Sequence, residues 1–282
     1  LPGSVCEHFI AYRQRKIISV EEIIAGQESS AANNKITSKN QLNMKTRSII
    51  MAIVAFSTIT MFTSCEKIKG KGDVIGEVRT AENFHAISLD MSATVYFTPG
   101  AGYGIELRGQ ENVLREIVTR VDGNCLTIRL KNNVVLGSHE PIFVYVSSPD
   151  VAGLNVKGSG DIYTDGPWTT SRLSLDISGS GTINIGNLVA DNLSANISGS
   201  GNIRATTGTA IREDLKISGS GTIDLRSIEA ESVYTVTSGS GDTYIRAKSL
   251  LDVSISGSGD IWYYGTPAIN TRISGSGNLH KM

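Results

Sequence analysis

Cysteine is scarce in this chain of 282 residues: only Cys6, Cys65 and Cys125 are present, with no metal-ligand spacing. The four histidines, His8, His85, His139 and His280, do not join them in a ligand set. A zinc site is therefore excluded, and Cys125 reads as a small, half-buried strand residue. A surplus of positive charge is also missing. The formal net charge is −1, and from Glu66 onward 19 Lys and Arg stand against 23 Asp and Glu. Nothing there neutralises a row of phosphates, which excludes nucleic acid as a partner. No Ser-His-Asp order, nucleotide-binding glycine loop or metal triad occurs, so no catalytic group and no cofactor is expected. Long apolar runs are absent too. The segment from Ile49 to Phe62 has 14 residues, too short to span a bilayer as a helix.

That apolar segment comes after a short basic one, Met44-Lys45-Thr46-Arg47, and ends in Phe62-Thr63-Ser64-Cys65. A basic start, an apolar stretch and small residues before a cysteine look like a bacterial lipoprotein signal peptide over 44–64. Cleavage would fall before Cys65, whose thiol would carry the lipid. Residues 1–43 begin without Met and would block export as part of the signal. They read as non-native upstream sequence translated from a misplaced start. Residues 65–73 are polar and glycine-bearing, and a flexible tether is expected there. The location implied is the cell envelope at the outer membrane, facing the surface or the periplasm.

What the chain has in quantity is glycine, 30 residues in all, and its placement is periodic. Gly-Ser-Gly begins at Gly158, Gly179, Gly199, Gly219, Gly239, Gly257 and Gly275, at spacings of 21, 20, 20, 20, 18 and 18 residues. A period near 20 is a solenoid signature. Two residues before each motif stand Val156, Ile177, Ile197, Ile217, Thr237, Ile255 and Ile273; four after its first glycine stand Ile162, Ile183, Ile203, Ile223, Thr243, Ile261 and Leu279. Mainly polar residues lie between them, which means strands with one face inward. Each unit is expected to be strand, Gly-Ser-Gly corner, strand and turn. Like strands of successive units then pair in parallel about 4.8 Å apart, and the crossover rule favours a right-handed coil. The corner glycines are expected to take backbone angles closed to other residues, with the serine capping free backbone groups. The predicted fold is all-β: a parallel β-helix-like solenoid with about seven Gly-Ser-Gly coils of 18–21 residues over 151–282. A β-propeller or antiparallel sandwich is the alternative, but a propeller blade needs about twice this period.

Residues 74–150 are less regular. Ile87 to Phe97 resembles Leu173 to Ile185 with a shortened corner, as in a degenerate coil. Glu111 to Val118 has helical spacing, Val121-Asp122-Gly123-Asn124 reads as a turn, and strands come next at Leu126–Leu130 and Ile142–Val146. This region is expected to cap the solenoid, making 74–282 one structural unit. The repeated Gly-Ser-Gly-Asp/Asn-Ile, as at Gly158–Ile162 and Gly199–Ile203, lies downstream of the lipoprotein signal. Together with Phe84…Ile87 and Glu111-Asn-Val-Leu…Val121-Asp-Gly-Asn-Cys-Leu-Thr-Ile, it is similar to the putative auto-transporter adhesin head domain family, abundant in Bacteroidetes. The resemblance covers about residues 74–280. It implies a β-helix-like fold and supplies no catalytic or ligand residues.

Two outward columns bear on function. The residues just after the corners, Asp161, Thr182, Asn202, Thr222, Asp242, Asp260 and Asn278, include too few acids for a calcium ladder and suit hydrogen bonds between coils. Two positions further on stand Tyr163, Asn184, Arg204, Asp224, Tyr244, Trp262 and His280. Tyr244 and Trp262 should lie side by side on successive coils, with Tyr264 on the same face. Such a cluster is either a platform for sugar rings or a surface patch that packs on itself or on another copy. The function expected is a non-enzymatic lipoprotein, tied to the membrane through Cys65, that binds glycans or envelope proteins as a monomer or small oligomer. A structural scaffold or spacer is the alternative, and a polysaccharide-acting β-helix enzyme comes third.

Overall fold

The structure, a computed structural model, describes residues 66–282 apart from 81 and 101; the signal segment, Cys65 and residues 1–43 lie outside the described residues. The unit that begins at Cys65 is compact and encloses its own hydrophobic core. It opens with β1 (Glu66–Ile68), β2 (Val74–Arg79), β3 (Ala86–Asp90), β4 (Thr94–Pro99) and β5 (Gly104–Gln110). A short helix α1 (Glu111–Leu114) comes next, then β6 (Ile117–Asp122), β7 (Cys125–Leu130), β8 (Val134–Leu136) and β9 (Phe143–Ser148). The repeat region holds β10 (Gly153–Val156), β11 (Asp161–Thr164), β12 (Pro167–Ile177), β13 (Thr182–Ile197), β14 (Asn202–Ile217) and β15 (Thr222–Asp224). It ends with β16 (Ile228–Thr237), β17 (Asp242–Ile255), β18 (Ile261–Tyr264), β19 (Ala268–Ile273) and β20 (Leu279–Lys281).

Every strand pair within the repeat is parallel, and apart from a register shift between Ala230 and Ser232 of β16 the pairs keep step by whole coils, as the period requires: Ile177 pairs with Ile197, Ile197 with Ile217, and Ile183 with Ile203. The seven corners bound six full coils, so the stack is a β-solenoid of about six turns rather than seven. The isoleucines line up inside as expected, and Ile177, Ile183, Ile197, Ile203 and Ile217 are all buried. Each coil also carries a third ladder segment that the sequence reading leaves as a turn. Trp168, Leu188 and Gly208 form one of its rows, continuous with the strand after it. It was hidden because β12, β13 and β14 run on through the bend without a break.

The corner glycines serve a different end from the one expected. None of them has a left-handed backbone angle. A Cβ on Gly179, Gly199, Gly219, Gly239, Gly257 or Gly275 would instead lie closer than 3.0 Å to the backbone carbonyl of the corner beneath. Glycine is required because corner stacks directly on corner. The serine between them contributes its backbone: the Ser200 N–H donates to the Gly179 carbonyl at 3.0 Å, and the Ser220 N–H to that of Gly199 at 3.0 Å.

The first corner explains the rule. Leu89 pairs with Val156 and Val95 with Ile162, so Met91-Ser92-Ala93 occupies the place of Gly158-Ser159-Gly160. The corner is full-length, not shortened. Below it the chain leaves the stack between β7 and β9, and side chains fit where no corner lies underneath.

Beyond that coil antiparallel pairs enter, although β1 and β8 still run parallel. β5 pairs antiparallel with both β9 and β2, and β6 with β7. The helix expected over 111–118 is confined to Glu111–Leu114, because Ile117, Val118, Thr119 and Val121 take up β6. β-Branched residues favour the pleated ladder over another helical turn. The Arg79 guanidinium ties this region together, donating to the carbonyls of Ile117 (2.7 Å) and Leu114 (2.9 Å) and to Glu77 (2.9 Å). The segment expected as a tether is also bound. β1 pairs with β8, and the Gly70 N–H donates to the Ser138 carbonyl at 2.9 Å. Cys125 sits half-buried in β7 as expected, and burial pushes its thiol up from the ordinary value.

The interior holds one anomaly. Glu213 lies on the inner row between Leu193 and Val233 with 0% of its surface exposed and no hydrogen-bond partner. Burial alone pushes its carboxyl well above the ordinary range. One coil later Thr235, Thr237 and Thr243 face inward, also without partners for their hydroxyls.

Candidate functional site

The outward column that begins at Tyr163 is longer than the repeat itself. In-register pairing joins Tyr145, Tyr96, Tyr163, Asn184, Arg204, Asp224, Tyr244, Trp262 and His280 into one row across nine strands. Strand pairing holds adjacent members about 4.8 Å apart. The row has an aromatic stack near each end and three polar residues between.

At the C-terminal end the Tyr244 and Trp262 rings stack with centroids 4.7 Å apart and planes 8° from parallel. His280 continues the stack at 5.3 Å. The Arg226 guanidinium covers the Tyr244 ring at 4.2 Å while donating to Asp224 at 2.8 Å. That hydrogen bond is the main cause of the raised Arg226 pKa. At the N-terminal end Tyr96 stacks on Tyr145 (5.5 Å) and on Tyr163 (5.8 Å). Arg108 lies over Tyr145 at 4.9 Å and is held by Glu106 at 2.7 Å. The two stacks thus share one construction: rings in a ladder, closed on one side by an ion-paired arginine.

The structure brings Tyr244 and Trp262 together as the sequence predicts. Tyr264 stands in the adjacent column, paired with Arg246, whose guanidinium is 5.3 Å from its ring. Cys65 lies outside the described residues. The ladder geometry sets what the aromatics can offer. Tyr244 lies between Arg226 and Trp262, and Trp262 between Tyr244 and His280, so their faces are largely engaged and their edges point outward. Sequence reasoning missed Tyr96 and Tyr145 as members of the row. Tyr96 was legible from the likeness of Val95-Tyr96-Phe97 to Ile183-Asn184-Ile185. Tyr145 was not, because nothing in the sequence says that β9 lies under β4.

The neighbouring column bears out the hydrogen-bond reading of the residues after each corner. Asp161 accepts from the Thr182 N–H (2.9 Å), Asp242 from the Asp260 N–H (3.0 Å) and Asp260 from the Asn278 N–H (2.7 Å). These carboxylates knit one coil to the next. On another outward face a groove of about 410 Å³ runs past Asn155, Asp176, Asn196 and Lys216, with Asn196 donating to Asp176 at 2.9 Å. No described helix is long and apolar enough to cross a membrane.

The family described as putative auto-transporter adhesin, head GIN domain, matches residues 83–267. Among solved structures the chain is similar to a putative adhesin from Bacteroides fragilis, at 24% identity and a TM-score of 0.73 over 76% of this chain and 100% of that one. It is similar to a putative lipid binding protein from Parabacteroides distasonis, at 26% identity and a TM-score of 0.65 over 77% and 100% of the two chains. A putative adhesin from Parabacteroides merdae aligns at 21% identity, with a TM-score of 0.64 over 77% and 99%. These likenesses establish the solenoid fold across nearly all of the described unit. No curated protein matches the chain.

Proposed function

Since this chain belongs to the putative auto-transporter adhesin head GIN domain family, we propose that it is a non-enzymatic binding module of the cell envelope. A lipid on Cys65 holds it to the outer membrane, and its outward columns meet glycans or another envelope protein. The observation that carries this reading is the nine-residue row from Tyr145 to His280. A polymer lying along it meets side chains at one fixed spacing. Because the ring faces are engaged, contact falls to ring edges, phenol hydroxyls, the indole N–H and the exposed Arg204 between the stacks. Those groups donate and accept hydrogen bonds in the manner sugar hydroxyls require. The carboxyl pushed well above its ordinary value, Glu213, is sealed in the core, where no substrate reaches it.

The engaged ring faces also favour a second reading, in which the stacks only brace a scaffold. Residues 66–282, immobilised and probed with a glycan array and with envelope fractions, separate the two. Binding that is lost in Arg204→Glu and Trp262→Ala supports the module. Binding that both variants keep, or no binding to either probe set, leaves the scaffold. Any bound polysaccharide should be recovered intact, and its cleavage would overturn the non-enzymatic assignment.

A further inference from the structure

We infer that the N-terminal end of the domain is itself a membrane-contacting surface, with a three-lysine groove that takes the phosphate of anionic phospholipid headgroups. The inference rests on the lipid anchor proposed for Cys65. The fold begins one residue later, and successive Cα atoms are 3.8 Å apart. β1 starts at Glu66, and the chain after it is fastened rather than free. The Gly137 N–H donates to the Ile68 carbonyl at 2.6 Å, the Asn112 side chain to the Lys69 carbonyl at 2.8 Å, and the Lys71 N–H to Asn112 at 2.9 Å. A lipid at Cys65 therefore brings this end of the domain against the bilayer with no linker between.

The side chains found there suit that position. A groove of about 410 Å³ is lined by Lys67, Ile68, Lys69, Lys71 and Asn112, with no carboxylate among the described residues of its wall. The three lysines are exposed, and none makes an ion pair among the described residues. Several carboxylates of the surrounding cap are already taken: Glu77 by Arg79, Glu106 by Arg108, Glu111 by Arg115 and Glu116 by Lys131. Asp73, Glu82, Asp90 and Glu140 have no such partner among the described residues. The lysines thus stand without a carboxylate partner among the described residues, although the domain as a whole is net acidic. Val74, Ile75 and Val135 are exposed in β2 and β8, giving apolar groups that can enter the headgroup layer beside the lysines. Ammonium groups within a Debye length of an anionic leaflet, flanked by exposed aliphatics, are the composition of a peripheral membrane contact. The solenoid then leads away from the bilayer, and β17 to β20 form its far end.

Residues 66–282 enclose their own core and can be tested alone, without the apolar segment upstream. The domain is sedimented with vesicles of phosphatidylcholine, or of phosphatidylcholine with phosphatidylglycerol. It should bind the anionic vesicles at least about tenfold more tightly and be released by salt. Lys67→Glu with Lys69→Glu and Lys71→Glu should weaken that binding roughly a hundredfold while leaving the melting temperature unchanged. Equal binding to both vesicle types, or a triple variant that binds like the wild type, overturns the inference. Palmitate labelling of the full chain and of Cys65→Ser tests the anchor separately. An unlabelled wild type removes the anchor, while the vesicle result still decides the headgroup site.

Discussion

The two ends of the solenoid solve the same problem differently. A parallel stack has no internal reason to stop, since each coil presents to the next the edge and the apolar rows it received. At the N-terminal end the chain changes direction: β5 and β2 run antiparallel, β6 folds back on β7, and α1 and Arg79 close the opening. Val113, Leu114 and Leu126 are fully buried there. At the C-terminal end all six residues of β19 are exposed. Ile269 (38% exposed) and Ile273 (45%) stand where earlier coils bury Leu251 and Ile255. One end is closed by architecture. The other is left as a cross-section of the core, with Lys281 breaking the inner row that holds Leu225, Ile245 and Tyr263.

The sharpest way to break this contrast is at a corner. Gly219→Val places side-chain atoms on the Gly199 backbone and should cost about 3 kcal/mol or more, enough to prevent folding in urea titrations. At the N-terminal corner, where no other corner lies beneath, Ala93→Gly should cost only about 1 kcal/mol. Equal costs would mean that stacking does not select the glycines. Next comes the closure of the N-terminal end. Arg79→Ala should destabilise by about 2–3 kcal/mol, through charged hydrogen bonds lost at a half-buried site. Its hydrogen-exchange signature should be confined to β2, α1 and β6, and a uniform loss of protection would show that the cap does not unfold as a unit.

Smaller, and of opposite sign, is the effect of the buried acid midway between the ends. The folded chain keeps a proton on Glu213 that the unfolded chain releases. Stability from this group is therefore complete below the ordinary carboxylate range and is lost as pH rises through the folded value. Glu213→Leu should stabilise by about 1–2 kcal/mol, more at about pH 8 than at about pH 4. A gain that is flat with pH would mean the carboxyl is not held neutral. The mildest test is at the open end. Lys281→Ile restores an apolar row and should shift the mass distribution toward oligomers in light scattering across a concentration series. An unchanged distribution would show that Lys281 does not guard the end.

Much of this architecture was legible because a solenoid repeats its instructions. Ile177, Ile197 and Ile217 recur at one phase of a 20-residue period, and their inward position followed from alternation alone. Contacts between coils were harder to read. The reason for glycine lay in the coil beneath, not in the angles of the corner itself. Ile87 to Met91 fits the inner pattern in two phases two residues apart, and only pairing of Leu89 with Val156 decides between them. Among the candidate aromatics, the neighbours Tyr244 and Trp262 followed from the period. The group that closes over each ring did not, since Arg226 reaches Tyr244 from a column that period-counting treats as separate.

The corner glycines make the molecule a ruler with whole-number divisions. Insertion or removal of one complete unit between two corners would leave every inward and outward assignment intact and move the far end by one rung, about 4.8 Å. An insertion of a single residue in a strand would turn its outward side chains inward and set a corner carrying Cβ atoms over its neighbour. Length in such a domain can therefore change only in steps, each one lengthening the column of outward side chains by one position without altering those already there.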